Sequence, residues 1–109
     1  MDFAPTAYIR CLNGIVDLDT TATAIRCGTS NLEGRKWLCF INASNVPIFW
    51  GSEYLDGTTP TTITASLLGK WGQKMAAGDM VWLPISDKLT IYARANSGAG
   101  KRLRVVELA

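Results

Sequence analysis

The side chains of this sequence that could react or hold a metal are three cysteines and nine carboxylates, with no histidine among the 109 residues. Without histidine, the chain lacks the commonest general base, the usual partner of a nucleophilic cysteine and the commonest ligand of transition metals. Cys11, Cys27 and Cys39 are an odd number and show no CxxC spacing. We therefore expect free, buried thiols in a protein made in a reducing cytoplasm.

The carboxylates and the glycine-rich stretches do not complete a catalytic or binding pattern. Asp17 and Asp19 share one face of a possible strand, but no third acid or glycine loop follows to make a calcium site. The stretch GAGKR at 98–102 lacks the first glycine and the hydroxyl residue of a phosphate-binding loop, and it is more typical of a flexible loop. We predict that the protein is not an enzyme and has no catalytic, cofactor-binding or metal-binding residue.

Tryptophan and arginine are the residues of this sequence that most favour a binding function, because both are enriched at protein interfaces. Trp71 is the best surface candidate among the four tryptophans, since it lies in a glycine-rich segment beside a lysine. Trp37 is expected to fill the core. Tryptophans also line sugar-binding platforms, so a glycan is a second type of partner. The predicted interface residues are Trp50, Trp71, Trp82, Tyr92, Arg94, Arg102 and Arg104.

Length and composition indicate one domain with an unusual surface. Hydrophobic residues make up 48% of the chain, which is enough for a core, whereas charged residues make up only 18%, below the roughly 25% of an average soluble domain. Such a surface suits a chain that buries part of its outside against partners, or a β domain covered by Thr, Ser and Asn. A net charge of +2 does not favour nucleic acid, and no apolar run is long enough to predict a membrane partner.

The elements that must position these side chains are predicted to be strands. Short apolar runs alternate with turn residues, which predicts an all-β chain of at least six strands, folded as a small antiparallel β-sandwich or barrel. Residues 1–20 are expected to form an N-terminal arm or a first strand, and residues 21–109 a single β-sandwich domain. TITAS at 62–66 is predicted to be a short edge strand. LLGKWGQKM at 67–75 is predicted to be irregular or extended, because Gly69 and Gly72 disfavour a helix.

The C-terminal part shows the clearest period of two. KLTIYARA at 88–95 and KRLRVVELA at 101–109 are predicted to form an antiparallel hairpin around the loop NSGAG. In the second strand Leu103 and Val105 lie on one face, with Arg102 and Arg104 on the other. Together with Arg94, these two arginines would form one basic stripe for an acidic partner, or an ordinary solvated strand face.

AAGDMVWLPIS at 76–86 predicts a turn followed by a strand with two apolar faces. Val81 and Leu83 should point into the core, whereas Met80 and Trp82 should point outward. Pro84 lacks an N–H, which places the strand at a sheet edge or a bulge. We expect a docking strand, and we expect Trp82 to lose exposed area on assembly.

Four stretches of the chain resemble small virion proteins of tailed phages: NASNVPIFWG at 42–51, AAGDMVWLPIS at 76–86, KLTIYARANSG at 88–98 and LRVVELA at 103–109. The resemblance covers roughly residues 37–109 and departs from the group at the Trp-containing segment LLGKWGQKM. It implies a β-sandwich protein, without enzymatic activity, that decorates or cements an icosahedral head.

The expectation that follows is a decoration or cement protein on the capsid surface of the virion, made in the host cytoplasm. Its partners would be the major capsid protein, whose subunits it bridges to stabilise the head, and copies of itself, with a trimer as the expected oligomer. Nucleic acid and membranes are not expected as partners, and no cofactor is expected. The alternative is a structural protein of the phage neck or tail, or a carbohydrate-binding adsorption module.

Overall fold

The computed structural model of the protein describes residues 10–54 and 62–109. Eight strands form two four-stranded antiparallel sheets, which confirms the predicted all-β antiparallel sandwich. The sheet that we call the front sheet contains, in spatial order, β1 (Cys11–Leu18), β8 (Lys101–Leu108), β3 (Trp37–Asn42) and β6 (Met80–Leu83). The back sheet contains β2 (Thr23–Ala24), β7 (Ile91–Ala95), β4 (Ile48–Ser52) and β5 (Gln73–Met75), and a helix, α1 (Ala65–Trp71), precedes β5.

The first strand lies in the range where an arm or a first strand was expected. β1 pairs with β8 along its whole length, from Cys11 opposite Leu108 to Leu18 opposite Lys101. Beyond the strand, the backbone N–H of Arg10 donates to the carbonyl of Ala109 and the N–H of Ala109 donates to the carbonyl of Arg10. Residues 1–9, where the predicted arm begins, lie outside the described residues.

Alternating residues of the two sheets fill the space between them. In β8, Leu103 and Val105 are buried as predicted, and in β3 Leu38 and Phe40 are completely buried. β7 contributes Ala93 and Ala95 from the opposite sheet, together with Ile91. Each large apolar side chain removed from water in this way contributes about 1.5–3 kcal/mol. The core therefore holds the two sheets against each other, and the outer face of each sheet lies at the protein surface.

One ion pair lies inside this core at the end of β8. The Nη1 of Arg35 donates to Oε2 of Glu107 over 2.8 Å, and both side chains are fully buried. The same carboxylate accepts the backbone N–H of Cys27 over 2.8 Å and that of Leu32 over 3.0 Å. Arg35 Nη2 donates to the carbonyl of Leu89. Glu107 thus fastens the connection between β2 and β3 to the front sheet, and Arg35 extends the network to the segment before β7.

Acid should weaken this network. Burial raises the pKa of Glu107, but hydrogen bonds from Cys27, Leu32 and Arg35 lower it by more, so the pKa lies below its ordinary value of 4.5. The unfolded chain then binds the proton more readily, and the contribution of Glu107 to stability is complete above about pH 4.5 and is lost as the pH falls through the folded pKa. We expect Glu107→Gln to flatten the acid limb of the unfolding free energy, measured by urea titration at several pH values. Acid limbs of equal slope would contradict this expectation.

The predicted C-terminal hairpin is wrong. β7 pairs with β2 and β4 in the back sheet, whereas β8 pairs with β1 and β3 in the front sheet. Residues 96–100 therefore cross from one sheet to the other, a gap of about 10 Å that five residues span easily. The period of two predicts which side chains of a strand face inward. It does not assign the strand to a sheet, because the strands of both sheets face the same core.

The segment around Trp71 is helical, so the predictions for TITAS and LLGKWGQKM are wrong over Ala65–Trp71. Thr64 caps the helix, because its Oγ1 accepts the N–H of Leu67 over 3.2 Å. Leu68 is completely buried. Gly69 leaves room for Arg94, whose Nη2 would lie 2.5 Å from an added Cβ. Capping and packing thus outweigh the roughly 1 kcal/mol that a glycine costs inside a helix.

The three cysteines are free, as expected, but they are not all buried. Cys39 is buried, Cys27 is half-buried and Cys11 is exposed. Burial, together with the nearby Glu107 carboxylate, raises the pKa of the Cys27 thiol to about 11. Cys27 is therefore protonated at neutral pH and a weak nucleophile.

Candidate docking surface

The front sheet carries apolar side chains on the side that faces away from the back sheet. The register places Cys39 opposite both Val106 and Trp82, and Ile41 opposite both Arg104 and Met80. These rows extend across all four strands of the sheet. We call the surface the front face and define it by Ile15, Trp37, Cys39, Ile41, Met80, Trp82, Arg104 and Val106.

Three large apolar side chains of the front face are about half exposed to solvent: Ile15 at 56%, Met80 at 54% and Trp82 at 51%. A sheet in a monomeric sandwich normally presents polar residues on its outer side. Large apolar side chains grouped on one surface mark interaction sites on soluble proteins. The front face is therefore the best candidate for a protein-binding surface among the described residues.

Trp82 is held in place by its neighbours on this face. Its ring packs edge-on against Trp37, with 6.1 Å between the ring centroids and an angle of 74°. Its Nε1 donates to the Sδ of Met80 over 2.9 Å. A ring that is fixed before binding loses little conformational entropy on binding. The prediction that Trp37 fills the core is wrong, because Leu38 and Phe40 take the inward positions of β3 and leave Trp37 outside.

Arg104 gives the front face its charge. It lies opposite Ile15 on one side and Ile41 on the other, whereas Arg102 lies opposite Asp17. Within the described part of the chain, no carboxylate lies within 4.0 Å of the Arg104 guanidinium. A partner surface that fits this face would therefore carry a carboxylate surrounded by apolar side chains.

The strand β6 forms one edge of the front sheet, as the position of Pro84 predicted. The turn at Ala77–Gly78 and the inward side chains of Val81 and Leu83 are also confirmed. The N–H of Asn42 donates to the carbonyl of Asp79. Because every second residue of an antiparallel strand bonds to its neighbour, the backbone N–H and C=O groups of Met80 and Trp82 point away from β3. In β6 no charged side chain protects these backbone groups from another strand.

The other predicted interface residues do not form a single surface with Trp82. Arg94 lies on the back sheet, opposite Phe49, and its guanidinium stacks on that ring at 4.6 Å. Its Nε also donates to the carbonyl of Ala65 over 2.9 Å. The predicted basic stripe is therefore wrong: Arg102 and Arg104 are exposed on the front sheet, and Arg94 is engaged within the chain.

The predicted aromatic residues are likewise divided between sites. Trp50 points inward and packs edge-on against Phe40 at 5.5 Å, as part of the core boundary. Tyr92 is half-buried on the outer side of the back sheet, opposite Gly51. Trp71 is exposed at the end of α1. Of the seven predicted interface residues, only Trp82, Arg102 and Arg104 belong to the front sheet.

Sequence reasoning missed three apolar residues of the front face, Ile15, Ile41 and Val106. It also missed the buried Glu107. A signal for Glu107 was available, because the alternation that places Leu103 and Val105 inside puts residue 107 inside as well. For the apolar residues, no local signal separates the outer face of a sheet from its inner face when both are apolar.

Over the described residues the fold is an eight-stranded antiparallel β-sandwich whose front sheet has an apolar outer face. Within residues 10–54 and 62–109, no helix is long and apolar enough to cross a bilayer. No cluster of three or more Cys, Asp or Glu suited to a metal ion occurs in the same ranges. Comparisons with protein-family models, curated proteins and solved structures found no match.

Proposed function

We propose that this protein is a non-enzymatic virion component, a capsid decoration or cement protein that binds between major capsid proteins and stabilises the head. The observation that carries the proposal is the front face, on which Ile15, Met80 and Trp82 remain about half exposed beside a filled core. The resemblance of residues 37–109 to phage virion proteins supplies the kind of assembly.

The physical requirements of such a protein are modest for each copy. A head that binds many copies gains stability from the sum of many contacts, and a copy that bridges two coat subunits gains affinity from its second contact. The front face offers an aromatic ring at Trp82, held against Trp37 on the edge strand, and a cation at Arg104 on the second strand of the sheet. The complementary coat surface would present an apolar patch with a carboxylate near its centre.

Copy number in purified particles tests the proposed function. Quantitative mass spectrometry of particles should find this chain in hundreds of copies, in proportion to the coat subunits. About a dozen copies would contradict a decoration role and would place the chain in the neck or tail. Particles without this chain would overturn the whole proposal.

We also propose that copies of the chain join through the edges of the front sheet. The mutual hydrogen bonds of Arg10 and Ala109 determine which residues of β1 bond to β8. The backbone groups of Cys11, Asn13 and Ile15 therefore point to the other edge of β1, which pairs with no strand of the described residues. β1 and β6 run in opposite directions in this sheet. A β1 strand added beside β6 of a second copy would therefore continue an antiparallel sheet, and three such junctions would close a trimer.

Substitution of proline for Met80 should block this junction. The N–H of Met80 points away from β3, so Met80→Pro retains the pairing within the chain and removes a donor only from the free edge. We expect light scattering to give multiples of 11.8 kDa for the native chain and a monomer for Met80→Pro. Met80→Ala is the matched control, because it keeps the N–H and should still associate. A monomeric native chain would contradict the junction.

A further inference from the structure

A second cluster of exposed aromatic side chains lies away from the front face. It surrounds an open concavity of about 350 Å³ on the side of the sandwich where β5 and β6 form the sheet edges. We call this concavity the aromatic groove. Its described lining includes Tyr54 and Trp71, the polar side chains of Ser52 and Gln73, and an apolar floor of Trp50, Ile91, Leu83, Ile85 and Leu89.

The two aromatic side chains of the groove are unusually exposed for their size. Trp71 is 56% exposed and Tyr54 is 45% exposed. The other large apolar side chains that are exposed in the described residues belong to β1 and β6 of the front sheet. Coat docking on the front face therefore does not account for Tyr54 and Trp71.

The fold fixes the helix that carries Trp71 at this groove. Thr64 caps α1, and Leu68 anchors the helix in the interior. The Nε of Arg94 binds the carbonyl of Ala65, which ties the start of the helix to the back sheet. A binding group carried on a fixed helix loses little entropy when a ligand arrives.

The close approach of α1 to β4 sets the position of the tryptophan. The backbone N–H of Gly72 donates to the carbonyl of Leu68 over 2.9 Å. A Cβ at Gly72 would lie 2.9 Å from the carbonyl oxygen of Trp50, so glycine is required for this contact. The end of the helix is therefore seated on β4, beside Ser52 of the groove.

The lining specifies a neutral ligand with one apolar face. None of the described residues that line the groove is a lysine, arginine, aspartate or glutamate. The Nζ of Lys70 lies over one face of the Trp71 ring at 5.4 Å from the centroid, and the Trp71 side chain is still 56% exposed. Ser52, Tyr54 and Gln73 add hydroxyl and amide groups that donate and accept hydrogen bonds.

We propose that the aromatic groove binds a neutral pyranose unit of a glycan. A pyranose ring has a face of C–H groups that packs on an aromatic ring and an edge of hydroxyls that bonds to amide and hydroxyl side chains. A purely aliphatic ligand would leave Gln73 and Ser52 without partners, and the described lining holds no cationic side chain to bind an anionic ligand. The site is independent of the proposed docking on the front face.

A glycan array with the full chain tests this assignment, followed by calorimetry with the best neutral glycan. We expect Trp71→Ala to weaken binding at least tenfold and Gln73→Ala to weaken it about fivefold, the latter corresponding to the loss of one hydrogen bond. Trp82→Ala is the matched control, because Trp82 is as exposed as Trp71 but lies on the front face. Its affinity for the glycan should stay within twofold, and circular dichroism should show all variants folded.

Three results would overturn the assignment. The first is the absence of binding to any neutral glycan, and the second is unchanged binding after Trp71→Ala. The third is binding confined to acidic glycans or to aliphatic ligands, which would refute the ligand class. Binding of the chain to heads is measured separately, so each proposal can fail without the other.

Discussion

Replacement of Glu107 by alanine is expected to lower the free energy of unfolding by about 3–5 kcal/mol. The variant removes the acceptor of the backbone N–H groups of Cys27 and Leu32 and leaves the buried guanidinium of Arg35 without its counter-ion. An uncompensated charge and two unpaired donors in the interior are each costly. A domain whose free energy of unfolding is about 5–15 kcal/mol would then lose a large part of it.

Urea unfolding followed by tryptophan fluorescence measures this loss. Glu33→Ala is the matched control, because Glu33 is an exposed carboxylate of the same type and should change stability by less than about 0.5 kcal/mol. The double variant Arg35→Met with Glu107→Leu should recover part of the loss, since no buried charge remains. Equal stability of Glu107→Ala and Glu33→Ala would refute the structural role of the pair.

Under the proposed docking of the front face on phage capsids, Trp82→Ala is expected to weaken binding to heads at least thirtyfold. A tryptophan at the centre of an interface commonly contributes 2 kcal/mol or more, which corresponds to a factor of about 30. The proposed interface is centred on Trp82, which β6 presents at the edge of the front sheet between the ring of Trp37 and the thioether of Met80. Because its side chain is half exposed, the truncation should leave the sandwich itself folded.

Co-sedimentation with heads that lack this chain gives the affinity directly. Trp71→Ala serves as the control, since it removes an equally exposed tryptophan from the aromatic groove and should bind heads as the native protein does. Loss of head binding in Trp71→Ala alone would move the docking surface to the groove. Native affinity of Trp82→Ala would remove the front face from the interface.

The prediction of the strand faces was accurate because it depends on local geometry. In β6, β7 and β8 the inward side chains follow the period of two, and Pro84 marked the edge strand. The same rule was not carried to Glu107, although it places this residue inside. Alternation also could not assign Trp37, because β3 is apolar on both faces and only packing decides which face meets the core.

The sequence by itself determined that the chain is an antiparallel all-β protein without histidine chemistry, and which residues of its last strands face inward. These properties follow from composition and from the two-residue repeat of an extended backbone. The tertiary structure alone decided that β7 and β8 lie in different sheets, that Ala65–Trp71 is a helix, and that Arg35 meets Glu107 across 72 residues of chain. Strand pairing and buried ion pairs depend on contacts between distant segments, and no local periodicity encodes which segments meet.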